Sequence, residues 1–122
     1  MKDLTDRDTF NAATAQEVFD FVAHHLLTQN EKSVSGRICG YKSYETLKCA
    51  AGCLISDENY AKSFEGDTWD IVSKKLGMVN ECSLVRDLQV LHDRTPVKKW
   101  KNELIDLANF QGLSTVVMES FN

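Results

Sequence analysis

From Ala15 onward the apolar residues fall at helical spacing, with Ala15, Val18, Phe19, Val22 and Leu26 on one face. Thr14 stands before this run and Glu17 three residues later, the reciprocal pairing of a capping box. Asn30 suits a left-handed stop, so the spacing predicts a helix over 14–29. Asp67 is placed to cap a second helix carrying Trp69, Ile71, Val72 and Leu76, with Lys74 and Lys75 in its last turn and Gly77 at its end. A third starts at Asn80 and buries Leu84, Val85, Leu88 and Leu91. Thr95-Pro96 restarts the chain for a last long helix, lined by Val97, Trp100, Leu104, Leu107 and Ala108 and closed by Gly112. Ser56 can cap one short turn through Asp57, Glu58, Asn59 and Tyr60.

The stretch between the first two helices has a different character. Residues 31–37 are polar and read as a loop, whereas Ile38 to Tyr41 and Leu47 to Ile55 carry neither caps nor a helical period. Two extended pieces joined around Lys42 to Thr46 make a β-hairpin the favoured reading. Its second piece, Lys48 to Ile55, is rich in small residues that let another backbone approach, which places it in the core; a short buried helix is the alternative. Residues 1–13 read as a polar arm, and 113–122 as a tail whose Val116, Val117, Met118 and Phe121 can pack on the domain or form a subunit contact. The expected architecture is α+β and predominantly α-helical: four to five helices around a small hairpin, in a single domain over 14–112.

Composition agrees and excludes some functions. A chain of 122 residues, 43% hydrophobic and 26% charged, can bury a core without metal or disulfide staples. The net charge of −4 argues against general nucleic-acid binding, because Lys98, Lys99 and Lys101 are followed at once by Glu103 and Asp106 and read as a solvated face. No stretch approaches the roughly 20 apolar residues of a membrane span. Three aspartates and no apolar core in residues 1–10 speak against a signal peptide, so a cytoplasmic location and four reduced cysteines are expected.

Candidate chemistry is sparse. Cys49 and Cys53 have a Cys-x-x-x-Cys spacing, unlike redox pairs or common zinc knuckles, and a four-ligand site would need Cys39 with one of His24, His25 or His92. Small buried hydrophobes are the better reading, and neither metal nor cofactor is expected. His24 and His25 are adjacent on a helix and cannot chelate together. An enzyme using Cys49 or Cys53 with His92 as base is an alternative; Asp93 is not expected to orient His92, since neighbours on a helix point about 100° apart. The more suggestive group is Arg37, Tyr41, Lys42, Tyr44 and Lys48 on the hairpin, with Arg94 at a helix junction and Trp100 on the last helix as further candidates. Aromatic rings beside cations suit a small anionic ligand or a protein surface. Phosphate-loop, dinucleotide, zinc-protease and nucleophile-elbow motifs are all absent.

Several separated blocks carry a resemblance: Cys39-Gly40-Tyr41, Leu47 through Tyr60, Glu65-Gly66, His24 to Gln29, Leu88 to Asp93, and the ending around Trp100, Leu104 and Gly112-Leu113. Over roughly 15–113 the pattern is similar to a family of small proteins of tailed bacteriophages and prophages that has no settled activity. The resemblance implies an accessory protein in the host cytoplasm that binds a host protein or a small anionic ligand, in host takeover or inhibition of antiviral defence. It carries over no catalytic residue. A small oligomeric assembly factor, using the apolar tail as a homo-oligomer contact, is the further alternative.

Overall fold

The structure, a computed structural model, describes residues 1–35, 38–44 and 46–121. Five α-helices run in chain order among them: α1 (Arg7–Asn11), α2 (Ala15–Gln29), α3 (Trp69–Leu76), α4 (Cys82–Arg94) and α5 (Trp100–Gln111). Between α2 and α3 lie two antiparallel hairpins with strands two residues long, β1 (Val34–Ser35) with β2 (Ile38–Cys39) and β3 (Lys42–Ser43) with β4 (Leu47–Lys48). Val34 pairs with Cys39, and Lys42 with Lys48. The chain is α+β and predominantly helical, and among the described residues no helix is long and apolar enough to cross a membrane.

Local chemistry explains the helix ends. Thr14 accepts from the Glu17 amide while Glu17 accepts from the Thr14 amide, so the capping box forms in full. Asn30 closes α2 in the left-handed region at φ 53°, and Gly77 and Gly112 close α3 and α5 at φ 69° and 71°. Ser56 caps its turn through the Asn59 amide. Three starts differ from expectation. Thr68, not Asp67, precedes α3, and α4 begins at Cys82 behind Glu81 at φ 51°. Asn80 is diverted from capping because its side-chain amide donates to the Phe10 and Ala13 carbonyls at 2.9 and 2.8 Å. Pro96 opens a 3-10 turn over Val97–Lys99 that continues into α5, instead of heading the α-helix itself.

The core joins α2 (Val18, Phe19, Val22, Ala23, Leu26), α4 (Leu84, Val85, Leu88, Leu91) and α5 (Trp100, Leu104, Ala108), with α3 on the outer side of α4. The first thirteen residues are not a loose arm. Leu4 and Phe10 are fully buried, Asp6 caps α1, and Asn80 and Asn11 tie the segment to the α3–α4 connection. The tail is likewise packed: Met118 is buried in a 3-10 turn over Val116–Ser120, and the Gln16 side chain exchanges two hydrogen bonds with the Ser114 backbone.

The expected second hairpin strand is corrected in its length. Only Leu47–Lys48 is strand; Cys49 to Ile55 coils into a buried turn with a 3-10 helix at Gly52–Leu54. The small residues serve close approach, as their composition suggested, but between a turn and the Tyr41 backbone just ahead of β3. A Cβ on Gly52 would sit 2.0 Å from the Tyr41 carbonyl oxygen, which also accepts from the Cys49 amide. Backbone cannot step aside as a rotamer can. Gly52→Ala is therefore expected to cost about 3 kcal/mol, at the upper end for overpacking, and to lower the melting temperature by roughly 10 °C. Gly40→Ala meets a side-chain carboxylate, that of Glu65, at 3.0 Å, which need give only a few tenths of an ångström, and should cost less; equal losses in a thermal melt would refute this reading.

Candidate functional site

The two hairpins, the Glu65–Trp69 loop and one face of α4 enclose a cleft of about 340 Å³. Its walls include Cys39, Tyr41, Glu65, Asp67, Trp69, Gln89, Val90 and Asp93. This is within the size range of small-ligand pockets, and most of the lining surface is apolar. Wider hollows over the N-terminal segment are bordered by surface charges such as the Lys2–Glu17 pair.

A buried polar network lies behind the cleft and reaches its wall through Gln89 and Asp93. His92 has no exposed surface; its Nε2 accepts from the Ser33 amide at 3.0 Å, and its Nδ1 lies 2.7 Å from Asp93 Oδ1. A nitrogen accepting from a backbone N–H must be unprotonated, so the proton sits on Nδ1 and is donated to Asp93. Gln89 donates to the same carboxylate oxygen at 2.8 Å and accepts from the Ala51 amide at 2.9 Å. Ser33 Oγ continues the network to Ser43 Oγ and the Leu47 carbonyl. His92 and Asp93 do meet, contrary to the sequence expectation. The 100° between neighbours separates their Cβ directions, whereas the side-chain tips can bend towards each other.

Cys39, His92 and Asp93 place potential ligand atoms within 4.8 Å of one another. They do not suit a metal ion. A neutral imidazole has one in-plane lone pair, and here it is committed to Ser33; the other nitrogen needs its proton for Asp93. Cys39 is no readier: burial first, then the negative charge of Asp93, push its thiol pKa up.

The cysteines proposed as nucleophiles are no better placed. Cys49 and Cys53 are buried, and burial pushes the Cys49 thiol up to about 12 and Cys53 well above its ordinary value. Cys49 Sγ accepts from the Gly52 amide and the Cys53 thiol donates to the Ala50 carbonyl. Neither presents a thiolate at neutral pH. His25 is spent too, its Nε2 lying 2.8 Å from the Lys48 carbonyl, and burial lowers its pKa.

The hairpin patch is only partly assembled. Lys42 and Lys48 both lie 3.2 Å from Asp57 Oδ1, and Lys42 also sits over the Tyr60 ring, 5.4 Å from its centre. The two lysines hold the Asp57 carboxyl below its ordinary pKa. Tyr41 is buried and its hydroxyl donates to the Asp67 carbonyl at 2.6 Å. Tyr44 stands exposed in a left-handed turn, and Arg94 is exposed at the end of α4. Arg37 lies outside the described residues. Trp100 is corrected from surface to core: it is fully buried, stacks at a tilt on His92, and donates its Nε1–H to the Thr95 carbonyl.

Sequence reasoning missed Glu65 and Trp69. The Glu65 carboxylate accepts from the Tyr41 and Lys42 amides and the Tyr60 hydroxyl, the last at 2.6 Å, and so clasps the hairpin to the following loop. Trp69 lines the cleft almost wholly buried, and its Nε1 is the one buried side-chain nitrogen or oxygen without a hydrogen-bond partner among the described residues. A lone tryptophan in a helical stripe signals core, and nothing in its sequence position marks the idle donor.

Replacing His92 with Phe keeps a ring of similar size but strands the Ser33 amide and the Asp93 carboxylate. The expected loss of unfolding free energy is about 2–4 kcal/mol, read by denaturant titration; a loss under about 0.5 kcal/mol would show that water replaces the ring without penalty. Alkylation at neutral pH followed by peptide mass analysis should label the partly exposed Cys82 first, Cys39 more slowly, and Cys49 and Cys53 only after unfolding. Early labelling of Cys49 or Cys53 would restore the nucleophile reading. No protein-family model, no curated protein and no solved structure matches this chain, so the site stands on its own geometry.

Proposed function

We propose that this chain is a non-catalytic binding protein of the phage accessory type, acting on a host process by holding a host protein or small ligand in the cleft between the hairpins and α4. The observation that supports it is the state of the polar groups around that cleft. His92, Glu65 and Gln89 are consumed by internal hydrogen bonds, and the thiols of Cys39 and Cys49 are held protonated. General acid–base or nucleophilic chemistry needs a group able to change protonation while the fold stays intact. Protonating His92 at Nε2 would break its bond to the Ser33 amide at the entry to β1. What remains is a concave, largely apolar surface with a few fixed polar groups, which is the anatomy of recognition.

The resemblance to small tailed-phage proteins supplies the biological context, host takeover or inhibition of antiviral defence. The ion pairing of Lys42 and Lys48 with Asp57 moves the favoured surface from the hairpin patch to the cleft.

Val90 lines the cleft and is 52% exposed, so Val90→Glu should change stability by no more than about 0.5 kcal/mol. Immobilised wild type and Val90→Glu would be exposed to bacterial host lysate and to its small-molecule fraction. A component retained by the wild type and lost on the variant is the expected result; identical retention would remove the cleft as the binding site.

A further inference from the structure

Positive charges are unevenly mated over the molecule. Lys2, Arg7, Lys42, Lys48, Lys75 and Arg86 each have a carboxylate within 4.0 Å. Among the described residues Lys62 and Lys74 stand alone, and the other lysines and arginines without such a partner are Lys32, Arg94, Lys98, Lys99 and Lys101. These five gather where α4 ends and α5 begins. Lys32 Nζ donates to the carbonyl of Asp93, next to Arg94, at 3.2 Å, and Lys101 Nζ donates to that of Phe121. Arg94, Lys98 and Lys99 are exposed. Glu103 and Asp106 follow closely in sequence, yet on α5 they point roughly 150° away from Lys101. On a chain whose net charge is −4, this corner is a local reversal of sign.

Beside the cations lies a hollow of about 250 Å³. Leu27 near the end of α2, Val97 in the turn before α5 and Phe121 in the tail line it, together with Asn30, Lys98 and Lys101. The three apolar side chains are half-buried, and Phe121 is steadied by an edge-to-face contact with His24, ring centres 5.5 Å apart. The hollow falls below the range of small-ligand pockets and has room for a single side chain. None of its residues lines the cleft between the hairpins and α4.

We propose that this corner is a second interaction surface, a docking site for an acidic segment of a partner protein. One apolar side chain of the segment enters among Leu27, Val97 and Phe121, and its flanking carboxylates meet Lys98, Lys99 and Arg94. Burial of the side chain fixes the register, while the charged pairs give orientation and a fast encounter. Charge complementarity selects the partner. A nucleic-acid strand carries phosphates along its whole length and needs a basic face to match. Here the cations are confined to one corner, and the rest of the chain carries a net negative charge that repels a long strand. A short acidic stretch meets the corner alone.

The test is fluorescence anisotropy with a short fluorescein-labelled peptide of aspartates and glutamates around a central leucine. The wild-type chain should bind it saturably, and at least fivefold more weakly when salt rises from about 50 to 300 mM. Replacing the leucine by serine should cost the peptide at least fivefold in affinity. Lys98→Glu should lose roughly tenfold, whereas Lys74→Glu, the same charge change at an exposed site on α3, should lose less than twofold. Circular dichroism melts check that both variants fold, and the salt and leucine comparisons use the wild type alone. Absence of binding, equal losses in the two variants, or indifference to the leucine would each overturn the proposal. So would binding of an oligothymidylate of matched charge as tightly as the peptide. The cleft is judged separately by Val90→Glu, which leaves every residue of this corner in place.

Discussion

The buried ring of His92 lets a segment with almost no regular structure lie against α2 and α4. Strands of two residues supply too few ladder bonds to stand alone, and an isolated hairpin of any length is marginal in water. Here the Ser33 amide at the entry to β1 is fixed by His92 Nε2, and Ser33 Oγ reaches across to β3 and β4. From the other side of the ring, Asp93 and Gln89 extend the same network to the Ala51 amide, in the turn after β4. Three residues of α4, Gln89, His92 and Asp93, therefore hold both hairpins and the buried turn. Gln29 at the end of α2 reinforces this by pairing both its amide groups with the Lys48 backbone.

That constraint also shapes the cleft. His92 fixes the inner side of the hairpins and Glu65 clasps their outer side, and Gly40 and Tyr41 form one wall of the cleft while Gln89 and Val90 form another. The hollow is a consequence of how the hairpins are anchored, and its polar walls are the anchors themselves.

What was legible in the sequence was what is decided locally. Thr14 with Glu17, Gly77 and Gly112 act within one helical turn, and the helices they bound are found where the spacing puts them. Long-range demands overrode local signals elsewhere. Asn80 had the composition of a cap but is claimed by the Phe10 and Ala13 carbonyls, nearly seventy residues away in sequence. Leu4 and Phe10 looked isolated in a polar arm because their partners lie on elements far along the chain. Trp100 has the same composition whether it serves a surface or a core. Of the hairpin residues singled out in the sequence, Tyr41 lines the cleft, whereas Lys42 and Lys48 pair with Asp57. Glu65 and Trp69 could not be found, because their importance rests on which hydrogen bonds are filled and which is empty.

A cleft built from its own anchors divides into two kinds of residue. Ser33, His92, Asp93, Gln89 and Glu65 each satisfy a buried backbone or side-chain group, so a change at any of them is felt first as lost stability. Val90, Thr68 and Arg86 border the same space while exposed to solvent, and substitutions there leave the anchors intact. Adaptation to a new ligand or partner is physically cheap at that rim and costly at the anchors.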